Sequence, residues 1–471
     1  MSIVTVSELQ VFAGDERLMG PVSFALGAGE TLVIMGETGA GKSLIAQAIL
    51  GVLPNALRME GEICVNGRRV DTLTPAERAA MWGHEIATLP QEPWLALDPL
   101  MQAWRQVAET HVHVAGLSRP QAQHQTAKDL VALGLNGTED RLPGQLSGGM
   151  AQRVAFAAAT AGRAPILLAD EPTKGLDSDR RDRVTRLLAQ VPKDGGTLLA
   201  ITHEASVARA LGGKIMVLRK GVLVEDGETS SVLTKPQHSY TRDLLAADPV
   251  EWEKSEAPPR GDPLLIAEDL TLGRGGKILI DGLNLTVHRG ERIACLGPSG
   301  VGKSTLLDTL AGLVAPMRGT LCKADGLGSH AVQKLYQDPP AAFPAHVRLG
   351  RSLQDVATVH RTPWDQVEAN MVALKLSPAL LERRPDAVSG GELQRLSIVR
   401  ALSANPMVLL ADEPTSRLDP ITQKETMALL GQLTEQLGIA VVLVTHDRGI
   451  ARAWAQRVLE LGPQPEPSHS G

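Results

Sequence analysis

Short, largely apolar runs recur along the chain and predict buried parallel strands. TLVIMG at 31–36 and RIACLG at 292–297 both end at a glycine, and each is followed by a glycine-rich stretch and a helical pattern. ILLAD at 166–170 and VLLAD at 408–412 are runs of the same kind. Strands of this type that alternate with helices favour an α/β fold, with helices on both faces of a mainly parallel sheet.

The same motifs are written twice. GETGAGKS at 36–43 recurs as GPSGVGKS at 297–304, and LADEPTKGLD at 168–177 recurs as LADEPTSRLD at 410–419. The copies are more than 240 residues apart, which is the distance of a whole domain. The sequence therefore predicts a domain duplication.

The boundaries follow from composition. We predict one domain at residues 1–246 and a second at 264–461. Between them, 247–263 (ADPVEWEKSEAPPRGDP) is acidic and broken by proline, which is typical of a linker. The end of the chain, 462–471, is expected to be a disordered tail.

Charge and hydropathy narrow the class of protein. The chain has 47 basic and 53 acidic residues, so its net charge of −6 gives no general attraction to nucleic acid or anionic lipid. No apolar run approaches the ~20 residues that a membrane-spanning helix needs. The opening residues, MSIVTVSELQVF, alternate like a strand rather than a signal peptide. The chain is expected to be a soluble protein.

Candidate metal ligands are sparse. The three cysteines (Cys64, Cys295 and Cys322) are far apart in sequence, which argues against a disulfide framework or a cysteine-ligated metal. His111 and His113 are two positions apart and do not share a helix face. We expect both histidines on a solvated surface, and Cys295 in a buried strand.

The motif G-x-x-x-x-G-K-S between a strand and a helix predicts a phosphate-binding loop. Glycines let backbone N–H groups surround an anion, and the helix N-terminus adds its positive dipole. Lys42 and Lys303 are expected to reach the β- and γ-phosphates, and Ser43 and Ser304 to ligate Mg²⁺.

An apolar strand that ends in Asp-Glu supplies the remaining carboxylates. Asp170 and Asp412 are expected to hold Mg²⁺ directly or through water. Glu171 and Glu413 follow them and are expected to orient or deprotonate the attacking water. Both copies keep the glutamate, so both sites are expected to be active.

Two further motifs complete a resemblance. LSGGMAQR at 146–153 and VSGGELQR at 388–395, together with the motifs above, resemble the ATP-binding cassette family of ATPases. The resemblance covers nearly the whole chain and implies, in each half, a P-loop NTPase domain with a mainly parallel core, an antiparallel β subdomain and a helical subdomain. It also implies further functional residues: the Q-loop glutamines Gln91 and Gln337, which also approach the metal, the D-loop aspartates Asp177 and Asp419, and the switch histidines His203 and His446.

In this family two cassettes pair head to tail, which implies composite sites. Ser389, Gly390 and Gly391 would complete the site built on Lys42. In the same way, Ser147, Gly148 and Gly149 would complete the site built on Lys303. The other nucleotide-binding positions implied by the resemblance are Phe12, Gly36, Glu37, Thr38, Gly39, Ala40, Gly41 and Leu44 in the first copy, and Gly297, Pro298, Ser299, Gly300, Val301, Gly302 and Thr305 in the second.

One position departs from the family pattern. An aromatic residue that stacks on adenine is expected about 25 residues before the phosphate-binding loop, and Phe12 fits. The corresponding residue of the second copy is Gly273, with Arg274 beside it. We therefore predict weaker nucleotide affinity at the second site.

The end of the first copy indicates a branch of the family. KPQHSYTRDLL at 235–245 resembles the P-x-H-x-Y-T-x-x-L-L segment of cassettes that serve oligopeptide, dipeptide and nickel importers, and the second copy lacks it. The resemblance implies import of a peptide, nickel complex or opine, two permease subunits, an extracytoplasmic binding protein, and a location on the cytoplasmic face of the inner membrane. The residues after Gln91 would form a cleft for a permease helix, or would belong to the core of the helical subdomain; these are Trp94, Leu95, Leu97, Met101 and Trp104.

Two alternatives stay open. Tandem cassettes also occur in translation factors of the ABC-F type, which act on ribosomes. Those proteins carry a long, charged, helical linker, whereas the linker here is short and acidic, which is unsuited to RNA. A cassette pair attached to a soluble enzyme complex is the other alternative. We expect no nucleic-acid partner.

Overall fold

The computed structural model describes residues 2–462, except 92, 175, 177, 253–260, 299, 329 and 416–417. The chain divides into two compact units, Met1–Leu245 and Ala246–Gly471. Each unit contains an antiparallel sheet, a mainly parallel sheet and a group of helices.

The strands of the first unit are β1 (Ser2–Ala13), β2 (Glu16–Gly27), β3 (Thr31–Gly36), β4 (Leu57–Val65), β5 (Arg68–Arg69), β6 (Ile86–Leu89), β7 (Ile166–Asp170), β8 (Thr197–Thr202), β9 (Lys214–Arg219) and β10 (Val222–Glu228). Its helices are α1 (Lys42–Leu50), α2 (Pro75–Ala79), α3 (Ala103–His113), α4 (Arg119–Ala132), α5 (Gly148–Thr160), α6 (Ser178–Lys193), α7 (Ala205–Leu211), α8 (Thr229–Thr234) and α9 (Ser239–Ala246).

The strands of the second unit are β11 (Pro263–Arg274), β12 (Lys277–His288), β13 (Arg292–Leu296), β14 (Arg318–Lys323), β15 (Val332–Leu335), β16 (Val408–Asp412), β17 (Ala440–Val444) and β18 (Arg457–Glu460). Its helices are α10 (Lys303–Ala311), α11 (Leu349–His360), α12 (Trp364–Ala373), α13 (Gly390–Leu402), α14 (Pro420–Leu437) and α15 (Arg448–Trp454).

The central sheets confirm the predicted α/β class. In the described part of the first unit, six strands lie in the order β10-β9-β3-β8-β7-β6, and only the β9–β10 pair is antiparallel. In the second unit the order is β15-β16-β17-β13-β18, with parallel pairing. Every residue of β3, β8, β13, β16 and β17 is buried, as expected for strands that helices cover on both faces.

The smaller sheets and the helices complete each unit. The antiparallel sheets have the order β2-β1-β4-β5 in the first unit and β12-β11-β14 in the second. Helices α3, α4 and α5 pack on one another in the first unit, as do α11, α12 and α13 in the second. These are the antiparallel and helical subdomains predicted for the cassette fold.

The segment predicted as a linker is described by the structure at 247–252 and 261–263. Pro249–Glu251 forms a 3₁₀ turn that contacts α15, and Trp252 packs against the core of the second unit. The Lys424 Nζ donates a hydrogen bond of 2.8 Å to the Ala246 carbonyl oxygen. The start of the segment predicted as a linker therefore packs on the second unit, whereas 253–260 and the tail at 463–471 lie outside the described residues.

Two expectations about single residues had different outcomes. Cys295 is buried in β13, as predicted. The expectation that His111 lies on a solvated surface is wrong, because its side chain is buried and its Nε2 is 2.7 Å from Asp129 Oδ2. His113 is exposed and lies 2.9 Å from Glu109 Oε2.

The duplication extends to unusual backbone geometry. Glu8 in β1 and Asp269 in β11 both have positive φ, 50° and 49°, at an irregularity in the pairing with β4 and β14. Opposite them lie Gly61 and Gly319, with φ of 103° and 86°. A Cβ at Gly319 would lie 2.3 Å from the Asp269 carbonyl oxygen, so glycine is required there for both conformation and space.

We predict that Gly319→Ala destabilises the second unit by about 2 kcal/mol or more, through backbone strain and the clash with Asp269. For a unit of this size the unfolding temperature should fall by roughly 5 °C or more, which scanning calorimetry measures. The matched control is Gly328→Ala, because Gly328 has no positive φ and open space around its Cβ position. Equal unfolding temperatures for the two variants would contradict the prediction.

Candidate functional site

The first phosphate-binding loop joins the end of β3 to the start of α1. Gly36 has a φ of 154°, and a Cβ there would lie 2.2 Å from the Leu218 carbonyl oxygen of the neighbouring strand. Gly41 caps α1 in the left-handed conformation, with a φ of 85°. The loop can therefore follow this path only with glycine at these positions, and it leads directly into a helix N-terminus, which favours anions.

The lysine of each loop bends back over the loop. Lys42 Nζ donates to the carbonyl oxygens of Gly36 at 2.9 Å and Glu37 at 2.8 Å, and it lies 3.8 Å from Glu171 Oε1. Lys303 Nζ donates to the carbonyl oxygens of Gly297 at 2.6 Å and Pro298 at 3.0 Å. Burial lowers the pKa of Lys42, although Glu171 and Asp170 favour its charged form.

The aspartates at the ends of β7 and β16 fit a magnesium site. Ser43 favours the ionised form of the neighbouring Asp170, and Ser304 does the same for Asp412, so that each hydroxyl lowers the pKa of its carboxyl. Burial outweighs this effect and raises the pKa of both carboxyls, and among the residues that the structure describes the buried Asp170 Oδ1 has no hydrogen-bond partner. Such hydroxyl and carboxylate oxygens suit Mg²⁺, which takes its other ligands from phosphates and water.

The glutamates that follow have strained backbones. Glu171 and Glu413 have φ of 44° and 47°, in the left-handed region that non-glycine residues rarely adopt. Their N–H groups donate to the carbonyl oxygens of Ile201 at 2.9 Å and Val444 at 3.0 Å, on the neighbouring strands. Strain of this kind, held by surrounding structure at the same point of both units, is typical of active sites.

Three side chains besides Lys42 approach the Glu171 carboxylate. Its Oε1 lies 3.4 Å from His203 Nδ1, and its Oε2 lies 3.3 Å from Lys174 Nζ and 3.4 Å from Gln91 Nε2. Burial works to raise the pKa of Glu171, but His203, Lys174 and Lys42 outweigh it and hold the pKa at about 2. The carboxylate is therefore ionised at neutral pH and accepts hydrogen bonds, for example from a water.

The second unit repeats this arrangement. Gln337 Nε2 donates to Glu413 Oε2 at 3.1 Å, and His446 Nδ1 lies 3.3 Å from Glu413 Oε1. Burial opposes both charges, yet the pair lowers the pKa of Glu413 and raises the pKa of His446. Each unit thus brings the predicted glutamine, glutamate and histidine together at the carboxyl ends of its parallel strands.

Several charged neighbours were missed by sequence reasoning. Lys174 pairs with Glu171, and its counterpart in the second copy is a serine. Lys334 Nζ lies 2.5 Å from Asp308 Oδ1 and 3.8 Å from Asp412 Oδ2. The corresponding residues of the first copy, Thr88 and Gln47, are neutral. A position-by-position comparison of the copies would have revealed these differences.

The two Ser-Gly-Gly motifs lie at exposed helix N-termini. Ser147 caps α5 and accepts a hydrogen bond of 3.4 Å from the Met150 N–H. Ser389 caps α13 and accepts one of 3.3 Å from the Glu392 N–H, while its own hydroxyl and N–H donate to Glu392 Oε2. Gly148 and Gly390 are exposed as well. The next glycine of each motif has a close neighbour in its own unit: a Cβ at Gly149 would lie 2.9 Å from Arg180 Cδ, and one at Gly391 would lie 3.3 Å from Leu418 Cδ2.

The D-loop aspartates are only partly described. Asp419 caps α14, and its Oδ1 accepts a hydrogen bond of 3.1 Å from the Thr422 N–H. Asp177 lies outside the described residues, as does Ser299 of the second phosphate-binding loop.

The adenine positions differ in the way the sequence indicates. Phe12 lies near the end of β1, and the Arg58 guanidinium lies 4.5 Å from its ring centroid. At Gly273, a Cβ would lie 2.4 Å from Met317 Sδ and 2.5 Å from the Lys277 carbonyl oxygen. An aromatic side chain does not fit at that position, and the half-exposed Met317 occupies the space instead. The weaker affinity of the second site remains a prediction.

The residues after Gln91 divide between core and surface. Leu97 is buried, whereas Leu95 and Leu100 are 71% and 86% exposed. Met101 lines an open groove of about 610 Å³, and the acidic groups on its wall (Asp98, Glu109, Asp140) outnumber the one arginine, Arg105. Trp104 is partly buried, with the Arg105 guanidinium 5.4 Å from its ring, and the Trp94 side chain lies outside the described part. Among the described helices, no segment is both apolar enough and long enough to span a bilayer.

Comparisons with known proteins identify a family and relatives of known type. The family model described as ABC transporter matches residues 19–174 and 280–416. The chain is 32% identical to the peptidoglycan transport ATP-binding protein YejF of Agrobacterium fabrum, over 94% of this chain and 89% of that protein. It is 30% identical to the glutathione import ATP-binding protein GsiA of Escherichia coli O157:H7, over 98% of this chain and 86% of that protein.

Solved structures show the same fold at lower identity. The RNase-L Inhibitor matches 98% of this chain and 90% of its own, with a TM-score of 0.66 and 20% identity. The archaeal ribosome recycling factor aABCE1 matches 92% of this chain and 83% of its own, with a TM-score of 0.66 and 21% identity. With the family match in both halves, the chain belongs to the ABC transporter family and is an ATPase whose ATP hydrolysis is coupled to transport.

Proposed function

We propose that this chain is the ATP-hydrolysing subunit of an importer for peptide-like solutes, with both cassettes of the transporter in one polypeptide. The observation that carries the proposal is the occurrence, in each unit, of a complete set of P-loop lysine, strand-end aspartate, glutamate, glutamine and histidine. The proposal is also supported by relatives that are similar over most of their length and are named for transport of peptidoglycan and import of glutathione. Both names denote solutes with peptide bonds.

Each cassette would supply one part of two composite ATP sites. Ser389, Gly390 and Gly391 would face the γ-phosphate of ATP bound over Lys42. Their counterparts in the first cassette (Ser147, Gly148, Gly149) would face the ATP bound over Lys303. The helix N-termini at these serines are suited to an anion because their N–H groups and dipole favour negative charge. Asp177 and Asp419 would lie at the same seams.

The residues of the site have distinct roles in hydrolysis. Ser43, Asp170 and Gln91 would hold Mg²⁺ in the first site, and Ser304, Asp412 and Gln337 in the second. The ion would neutralise developing phosphate charge. The ionised Glu171 and Glu413 would orient the attacking water, and His203 and His446 would fix the direction of each carboxylate while contacting the γ-phosphate side of the site.

The groove beside α3 would receive a membrane partner. Its exposed Leu100 and its partly buried Met101 offer apolar contacts, and its acidic rim offers complementary charge for basic side chains. We propose two permease subunits as the direct partners, an extracytoplasmic binding protein as an indirect one, and a peripheral location at the cytoplasmic face of the inner membrane.

Replacement of the glutamates should stop the chemical step without preventing binding. We predict that Glu171→Gln and Glu413→Gln together lower the ATPase rate by roughly 10²-fold or more, because an amide is a poor hydrogen-bond acceptor and base. Steady-state phosphate release and equilibrium binding of a fluorescent ATP analogue measure the two effects. Near-normal ATP hydrolysis by the double variant would show that the role assigned to the two glutamates is wrong.

The composite arrangement predicts a crossed dependence. In a chain with Lys303→Ala and Glu171→Gln, only the first site binds ATP and hydrolysis is blocked. We expect Ser389→Arg to abolish retention of radiolabelled ATP after rapid desalting, because the arginine side chain would obstruct closure on the first site.

The matched control is Ser147→Arg in the same background, which should retain ATP. If both serine variants lose ATP equally, or neither does, the head-to-tail assignment is wrong.

The importer itself is tested by its partners. We expect the affinity-tagged chain, purified from its native membranes in mild detergent, to bring down two polytopic proteins in equal amounts, identified by mass spectrometry. Leu100→Glu, which adds an acid to the groove, should weaken this association, while Val359→Glu on the exposed face of α11 serves as a surface control. Recovery of ribosomes or a soluble enzyme in place of membrane proteins would contradict the proposal.

A further inference from the structure

The segment that closes the first unit is tied to the sheet by its own hydrogen bonds. Glu225 of β10 accepts hydrogen bonds from the N–H groups of Gln237 at 2.7 Å and His238 at 3.1 Å. His238 Nδ1 in turn accepts a hydrogen bond of 3.1 Å from the Tyr240 N–H, at the start of α9. These contacts fix where α9 begins and therefore where its first aromatic residue lies.

Tyr240 is directed into the first phosphate-binding loop. Its side chain is 1% exposed, and the Arg219 guanidinium lies 4.9 Å from its ring centroid. Its hydroxyl oxygen accepts a hydrogen bond of 2.8 Å from the N–H of Glu37, the second residue of the loop. The contact joins residues that are 203 positions apart, so it is a tertiary contact made only once the closing segment has docked.

The same peptide unit is held at both of its polar ends. Its carbonyl oxygen, from Gly36, accepts from Lys42 Nζ at 2.9 Å, and its N–H, from Glu37, donates to Tyr240 at 2.8 Å. Rotation of this peptide would break both hydrogen bonds. The orientation of the loop peptide and the position of the Lys42 ammonium are therefore linked to the tyrosine hydroxyl.

The second copy provides an internal comparison. The residue that corresponds to Glu37 is Pro298, which has no N–H to donate. The donor of this hydrogen bond is thus present in the first loop and missing from the second. A buried N–H without an acceptor is costly, so the first loop depends on the tyrosine hydroxyl at this position and the second loop has no such requirement.

We propose that Tyr240 is a positioning residue of the first nucleotide site, and that the closing segment orders the first phosphate-binding loop through its hydroxyl. The proposal rests on the assignment of this loop as an ATP site. It makes ATP binding at the first site, and not at the second, depend on a docked closing segment.

The test uses Tyr240→Phe, which removes the hydroxyl and keeps the ring against Arg219. In the full chain with Lys303→Ala, where the first site alone binds, we expect the Kd for a fluorescent ATP analogue to rise about three- to tenfold, as for the loss of one hydrogen bond. In the full chain with Lys42→Ala, where the second site alone binds, the same substitution should leave the Kd unchanged. Equal effects in the two backgrounds, or none in either, would overturn the proposal.

A rescue distinguishes positioning from general stability. Glu37→Pro places proline in the first loop at the position that Pro298 has in the second, and it removes the N–H that donates to the Tyr240 hydroxyl. In that background Tyr240→Phe should cause no further loss of affinity. Leu244→Ala on the same helix, which removes a buried side chain, should lower the unfolding temperature without changing the Kd. A full additional loss in the Glu37→Pro background would contradict the proposed route.

A spectroscopic measurement reports on the hydroxyl directly. The chain has two tyrosines, Tyr240 and Tyr336, so Tyr336→Phe with 3-fluorotyrosine labelling leaves one ¹⁹F resonance. We expect the ATP analogue to shift this resonance when Lys303→Ala is present but not when Lys42→Ala is present. If the Lys303→Ala chain binds the analogue and the chemical shift of this resonance does not change, the inference is refuted. If neither background binds the analogue, the assignment of the loop as an ATP site is refuted instead.

Discussion

The site depends on the concentration of buried negative charge at one edge of each central sheet. Asp170 and Glu171 are consecutive, both are largely removed from water, and their like charges repel. Such a pair persists only with compensating groups nearby. Lys42, Lys174 and His203 supply part of that compensation to Glu171. For Asp170 the balance is different: burial raises the pKa of its carboxyl, and its Oδ1 has no hydrogen-bond partner within the described part of the chain.

This imbalance explains why the proposed mechanism needs a metal ion at Asp170 together with the nucleotide at Lys42. A cation at Asp170 would satisfy the buried oxygen and lower the pKa of the carboxyl, since opposite charge favours the ionised form. The triphosphate would then replace the Gly36 and Glu37 carbonyl oxygens as the acceptor of the hydrogen bonds that Lys42 donates. Glu171 needs no such change, because its low pKa already keeps it ionised and its strained backbone keeps it at the strand end.

Much of the fold was predictable because periodicity and motif order are local properties of the sequence. The buried strands and the phosphate-binding loops follow from apolar runs and glycine spacing. Gln337 and His446 were named because the sequence resembles the ATP-binding cassette family, and the structure places both beside Glu413. Contacts between distant segments were not predictable in this way. The burial of His111 against Asp129 depends on how α3 packs on α4, and the Tyr240–Glu37 hydrogen bond depends on where a terminal helix docks.

Differences between the copies carried information that single motifs did not. Lys174, Lys334 and Glu392 are each matched by a residue of different charge in the other copy, and each contacts a predicted site residue. At Gly273 the sequence indicated that an aromatic residue is missing. Only the structure shows that Met317 and the Lys277 carbonyl oxygen occupy the space that a side chain would need. Side-chain volume at that point depends on how β11, β12 and β14 come together.

If the sites are composite, the fusion of two cassettes in one chain allows the two ATP sites to differ from each other. In a pair of identical chains, any change in the signature motif would alter both sites equally. In this chain, the loop ordered by Tyr240 would always meet the signature that contains Glu392, and the loop with Pro298 would always meet the one that contains Met150. Each site can therefore diverge in its loop and in its signature independently of the other. Two unequal ATP sites are then a stable property of one polypeptide rather than an accident of assembly.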